Sequence, residues 1–182
     1  VTGNFPTWWA FCQAADRDGH ANDTDPTDGA GVTRWGFTFP TWCQARRYAG
    51  YSDISLATFM KMTQPEAEVL ALDYFWDRLG ADAMPAGSDI SVIDWCWTSG
   101  GAVMEMQTHL GVQVDGIIGM MTIGAINKMP PREFIEKCHE WRIAYYDALG
   151  LQTKYPGDYN RADYVLSVGD ALIGNTPPPV AL

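Results

Sequence analysis

Five aspartates, Asp16, Asp18, Asp23, Asp25 and Asp28, crowd into one short stretch that also carries Gly19, Asn22, Pro26, Gly29 and Gly31. Carboxylates at this density either ligate a hard cation such as calcium or cap solvated turns. Taken alone, the composition favours turns, because Asp, Asn and Gly are the residues that tight turns require. His20 lies inside the loop and is the histidine best placed to act, whereas His109 and His139 read as helix-surface or packed residues. Trp35 stands beside the loop and is the best candidate for an aromatic groove wall. Trp95 and Trp97 read as core.

The flanking segments must hold this loop in place. Phe5, Trp8, Trp9, Phe11, Cys12 and Ala15 recur at mostly three- and four-residue intervals, which predicts a helix with a broad apolar face running into the loop. Val32–Phe39 alternates as a short strand or hairpin arm, with glycines at 29, 31 and 36 for tight turns. Pro40 opens a helix to about Ala49, and Ser55 caps a short one. Thr63 and Glu66 form a capping box for a heavily buried helix that ends near Gly80. Ser88 or Asp89 is expected to cap the next helix, Ile90–Ser99, whose apolar residues lie nearly all round. Gly100-Gly101 breaks it. Further helices are expected at 102–110, 122–128, 131–149 and within 155–173. The picture is mainly α with a small β-hairpin near residues 31–39.

Composition bounds the function. With 182 residues and 47% apolar content the chain builds a real core. A formal charge of −10 argues against nucleic acid and against electrostatic attraction to an anionic surface. No apolar run reaches the roughly 18 residues of a membrane span, so no stable membrane insertion is expected. No basic start with an apolar core marks a signal peptide. Cys12, Cys43, Cys96 and Cys138 contain no C-x-x-C pair, so free buried thiols are expected and no metal site or cofactor is assigned.

Three segments together resemble the glycoside hydrolase 108 type N-acetylmuramidases, a lysozyme-like family of phages and bacteria. In the loop, Asn22-Asp23, Asp25-Pro26, Gly29, Gly31, Thr33 and Trp35-Gly36-Phe37-Thr38 follow the family's order. Asp94-Trp95-Cys96-Trp97-Thr98-Ser99-Gly100 is similar to its Asp-x-x-x-Asn-Ser-Gly, with Thr98 in place of Asn. Leu110-Gly111-Val112-Gln113-Val114-Asp115-Gly116-Ile117-Ile118-Gly119, followed by Thr122, resembles the signature of its peptidoglycan-binding module. Tyr155-Pro156 and Asn160-Arg161 fit its last segment. The chain departs from the family at the catalytic acid, since no Glu precedes Glu66.

The resemblance implies a lysozyme-like catalytic region at 1–100, a helical peptidoglycan-binding-like segment at 101–174 packed on it, and a tail at 175–182. It implies acid–base cleavage of the peptidoglycan glycan strand, inverting, for phage lysis or wall penetration. Asp16 or Asp18 would stand in for the acid: Asp16 keeps the family's spacing to Asp25, and Asp18 keeps its place before Gly. Asp25 or Asp28 would be the base and Thr33 would hold the water, with His20, Asp28, Trp35 and Thr98 at the substrate. The expected setting is a phage-encoded protein made in the host cytoplasm and acting in the periplasm or on the wall, with the Pro-rich tail as a candidate virion contact. The second implied reading is an inactive lysozyme-fold protein that binds the wall or serves in the virion.

Overall fold

A computed structural model describes residues 3–15, 31–174, 176–177 and 179. The chain divides into two compact units, one comprising the described residues from Phe5 to Arg78 and the other Gly3 and Asn4 with those from Leu79 onward.

In the first unit the opening aromatic pattern forms helix α1, Phe5–Ala15. Trp8 and Cys12 are fully buried, and Phe5, Trp8 and Trp76 pack with ring centroids 5.8–6.4 Å apart. The chain re-enters at Gly31 and makes a two-stranded antiparallel hairpin, β1 (Thr33–Arg34) and β2 (Phe37–Thr38). Thr38 ends β2 and caps α2 (Phe39–Tyr48), its hydroxyl accepting from the Thr41 N–H, with Pro40 in the first turn. Ser55 caps the short α3 (Leu56–Phe59) in the same way. Helix α4 (Gln64–Ala71) starts on the capping box: the Glu66 carboxylate accepts from the Thr63 N–H at 2.7 Å.

Two expectations fail here. The helix opened by Thr63 does not run on as one α-helix to Gly80, because Leu72–Asp77 is a π-helical turn. One extra residue per turn shifts the apolar face, so the consecutive residues Phe75 and Trp76 are both buried. Val69, earlier in α4, lies off the buried face of Ala67, Leu70 and Ala71 and is 53% exposed. The heavy burial expected along the whole segment therefore holds only for part of it.

In the second unit a 3-10 turn (Ala81–Ala83) precedes α5 (Ser88–Thr98), whose residues 88–95 are all buried. Helices α6 (Ala102–Leu110), α7 (Met120–Lys128), α8 (Pro131–Ala148) and α9 (Pro156–Ile173) follow. α5 packs against both α8 and α9, which also pack on each other, and α6 lies against α8. α7 begins two residues earlier than the sequence suggests.

The expected cap of α5 is also corrected. Gly87, not Ser88 or Asp89, holds the cap position, with φ 86°. The reason is space as well as conformation: a Cβ there would stand 2.9 Å from the Gly169 carbonyl oxygen of α9. In the 110–119 segment Gln107 of α6 is the organiser. Its Oε1 accepts from the N–H groups of Asp115 and Gly116, and its Nε2 donates to Asp115 Oδ1 at 2.8 Å. Asp115-Gly116 is thus a turn clamped by one buried side chain.

Asp89 lies inside the first turn of α5 and is 3% exposed. It accepts from Asn4 Nδ2 at 2.8 Å and from the Ile90 N–H at 2.7 Å. Burial outweighs these bonds and lifts its pKa from the ordinary 3.8 to about 6. A raised carboxyl pKa means that the folded chain holds a proton the unfolded chain has released. Its contribution is therefore fully present below pH 3.8 and is lost as pH rises toward about 6. The loss amounts to about 3 kcal/mol by the conversion of 1.36 kcal/mol per unit. Denaturant titrations at several pH values should show this fall in the wild type and a flatter profile in Asp89→Asn. Equal slopes in the two proteins would refute the assignment.

Candidate active site

The hairpin is the described element that continues directly from the acidic loop. Asp16, Asp18, His20, Asp25 and Asp28 lie outside the described residues. From Gly31 (φ 72°) onward the geometry is set by local bonds. The Phe39 N–H donates to the Val32 carbonyl at 3.0 Å, Thr33 pairs with Thr38, and Arg34 pairs with Phe37. Two residues, Trp35 and Gly36, connect the strands with φ of 50° and 79°. Positive φ at both central positions is the type I′ hairpin turn, whose backbone twist suits the strands it joins. Glycine meets that demand freely. Trp35 does not, since the left-handed conformation costs a side-chain-bearing residue roughly 1–2 kcal/mol.

What holds Trp35 there is a single carbonyl. Met62 O accepts from Trp35 Nε1 at 2.9 Å and from Arg34 Nε at 2.6 Å. The Arg34 guanidinium sits 5.9 Å from the indole centroid. On the other side of the turn Phe37 is fully buried and tilts against Phe75. The structure therefore brings Thr33 and Trp35 together on one pinned hairpin, both half-buried.

Thr98 belongs to the second unit, where it ends α5 inside a network of buried charge. Asp94, one turn earlier, is fully buried. Its carboxylate accepts from Arg142 of α8 at 2.9 Å and from Arg161 of α9 at 2.7 Å. Arg142 uses its other nitrogens on Tyr146 Oη (2.8 Å) and on Thr98 Oγ1 (3.1 Å). The Thr98 hydroxyl is also 3.1 Å from Tyr146 Oη and within 3.3 Å of the Asp94 and Trp95 carbonyls. Burial pushes the Asp94 carboxyl up, but Arg161 and then Arg142 outweigh it and hold its pKa below the ordinary 3.8. Such a carboxylate stays charged and organises helices; it is not poised to give a proton to a substrate. Burial likewise pushes the neighbouring Cys138 thiol up to about 12, which makes it inert. Cys12, Cys43, Cys96 and Cys138 are not joined in disulfides.

Sequence reasoning did not find Arg142 or the Met62 carbonyl. One signal for the first was present: Asp94 interrupts an otherwise apolar helix, and a buried carboxylate needs a cationic partner. Nothing in the pattern pointed to a backbone oxygen. Among the described residues no group of three or more His, Cys, Asp and Glu side chains is arranged to hold a metal ion. No described helix is long and apolar enough to cross a membrane.

Comparison with known proteins bears on both units. The family model described as Glycosyl hydrolase 108 matches residues 15–100, a span that takes in the acidic loop, the hairpin and the Asp94–Gly100 motif. Among solved structures, SagA of Brucella abortus shares 27% sequence identity, with a TM-score of 0.75 over 93% of this chain and 92% of that one. No curated protein matches the sequence significantly. The mainly α, lysozyme-like fold with its small hairpin, expected from the sequence, is the one observed. Residues 15–100 are thus similar to the glycosyl hydrolase 108 family, and the fold is similar to that of SagA, in line with the resemblance that the sequence motifs carry.

Proposed function

We propose that this protein is an N-acetylmuramidase that cleaves the N-acetylmuramic acid–N-acetylglucosamine bond by acid–base catalysis with inversion. The observation that carries the reading is the family match beginning at residue 15, which covers the acidic loop and the hairpin that follows it. Hydrolysis needs a proton for the leaving oxygen and help for an oxocarbenium-like transition state, which two carboxyls flanking the sugar provide. Asp16 or Asp18 gives the proton, Asp25 or Asp28 deprotonates the attacking water, and Thr33 orients that water. Inversion asks for carboxyls about 6.5–9.5 Å apart, room enough for the water between them. Residues 101–174 serve as the wall-binding segment, and the setting is phage lysis or wall penetration.

One observation favours a second reading, an inactive lysozyme-fold protein of the wall or virion. No Glu precedes Glu66, so the acid is an Asp with an arm one methylene shorter. Digestion of purified peptidoglycan separates the two readings. The muramidase predicts new reducing ends that borohydride converts to muramitol, and an anomeric NMR signal of inverted configuration at early times. Glucosaminitol ends would reject the bond assignment, a retained anomer would reject the inverting route, and no ends at all would favour the second reading.

A further inference from the structure

We propose that the Trp35 indole is a prefixed platform for an N-acetylated pyranose ring of the glycan, and a determinant of substrate affinity. The proposal rests on the glycan-cleaving reading and deepens it: Trp35, expected from the sequence at the substrate, is given a stated mode of binding. Three observations lead to it. Trp35 occupies the first central position of a type I′ turn with φ 50°, where Asn, Asp or Gly would sit with less strain. Strained backbone of this kind concentrates where a side chain is needed for function. Its indole N–H and the neighbouring Arg34 Nε both donate to the Met62 carbonyl, so the plane of the ring is set before any ligand arrives. The residue is nevertheless only half-buried, which leaves aromatic surface uncommitted to the core.

An aromatic face fixed in this way suits a sugar. The axial C–H bonds of a pyranose form a flat apolar patch, and a ring already held in place loses little freedom on binding. Stacking also needs no positive charge, which fits a chain of formal charge −10 acting on an anionic wall. The ligand class is therefore an N-acetylhexosamine ring of a glycan strand, taken by its apolar face.

The test compares Trp35→Asn with Trp35→Phe in the full chain, using soluble glycan strands. Asn fits the left-handed turn but removes the ring; Phe keeps a ring but loses the bond to Met62. The platform predicts that KM rises at least about tenfold in Trp35→Asn, with kcat falling much less, while Trp35→Phe stays within about threefold of wild type. The thermal midpoint of Trp35→Asn should stay within about 3 °C of wild type, because relief of strain offsets the lost bond. An unchanged KM in Trp35→Asn, or equal losses in both variants, would overturn the proposal and leave the hydrolase reading intact. Should the wild type cleave nothing, the hydrolase reading fails, and retention on sedimented peptidoglycan still decides this one. Loss by Trp35→Asn alone supports it, and equal retention rejects it. A measurement on the unaltered protein guards against misfolding: the Trp35 indole N–H resonance, assigned by its absence in Trp35→Phe, should shift saturably with N-acetylglucosamine oligomers. No shift would reject the platform.

Discussion

Asp94→Asn should lower the thermal midpoint by about 10 °C or more. The substitution keeps the size of the side chain and removes its charge, leaving the guanidiniums of Arg142 and Arg161 facing a neutral amide. The Arg142 side chain is 2% exposed and that of Arg161 13%, so water does little to compensate. Removing one partner of a buried ion pair typically costs about 3–5 kcal/mol, mostly as the penalty of the charge left behind. For a domain of this size each kcal/mol moves the midpoint by about 2–4 °C. The three residues belong to α5, α8 and α9, so the loss should be felt as one cooperative transition of that unit. Arg161→Ala should cost less, because Arg142 remains to neutralise the carboxylate. Circular dichroism melts of the two variants check the ranking. A fall below about 3 °C for Asp94→Asn would place the cluster with ordinary surface pairs, worth about 1 kcal/mol or less.

The same cluster also ties stability to pH in the acid range. Its carboxyl pKa is depressed on folding, so its contribution is present above pH 3.8 and is lost as pH falls below that value. Asp89 works in the opposite sense over the window from 3.8 to about 6. The two carboxylates of one helix thus bend the pH profile in opposite directions, for reasons visible in what surrounds each.

The second large effect is catalytic. Neutralising the proton donor should reduce turnover by about 10²–10⁴-fold, the usual contribution of a positioned acid or base. Asp16→Asn and Asp18→Asn should behave unequally, one near wild type and the other nearly inactive, because the proposed mechanism uses only one proton donor. Asp25→Asn and Asp28→Asn should divide in the same way for the base. The shorter arm of Asp also predicts slow turnover in the wild type, since a misplacement of about 1 Å costs roughly 100-fold. Steady-state kinetics on soluble glycan strands measure all four. Equal, modest losses in every variant would mean that the loop shapes the protein instead of reacting.

Much of the fold was legible from local chemistry. The capping box at Thr63 and Glu66, the hydroxyl cap at Ser55 and the left-handed Gly150 each act within a few residues, and the helices they bound start or stop there. Features that depend on distant partners were not legible. Gly87 is dictated by the Gly169 backbone on another helix. Arg142 lies in the stripe between Trp141 and Ile143, and its meaning comes from Asp94, 48 residues away. The π-helical turn at Leu72–Asp77 left no periodic signal, because one added residue simply re-phases the apolar face. In the candidate site, the sequence placed Thr33 and Trp35 on a hairpin beside the loop. The strained turn and the carbonyl that pins it are three-dimensional facts.

The whole account turns on whether an aspartate of the loop can protonate a glycosidic oxygen. The decisive measurement is the rate of muramitol-yielding ends released from purified peptidoglycan by the wild type, Asp16→Asn and Asp18→Asn side by side. The account predicts a measurable wild-type rate that collapses in one of the two variants. Wild-type activity that survives in both, and in the double variant, would contradict it.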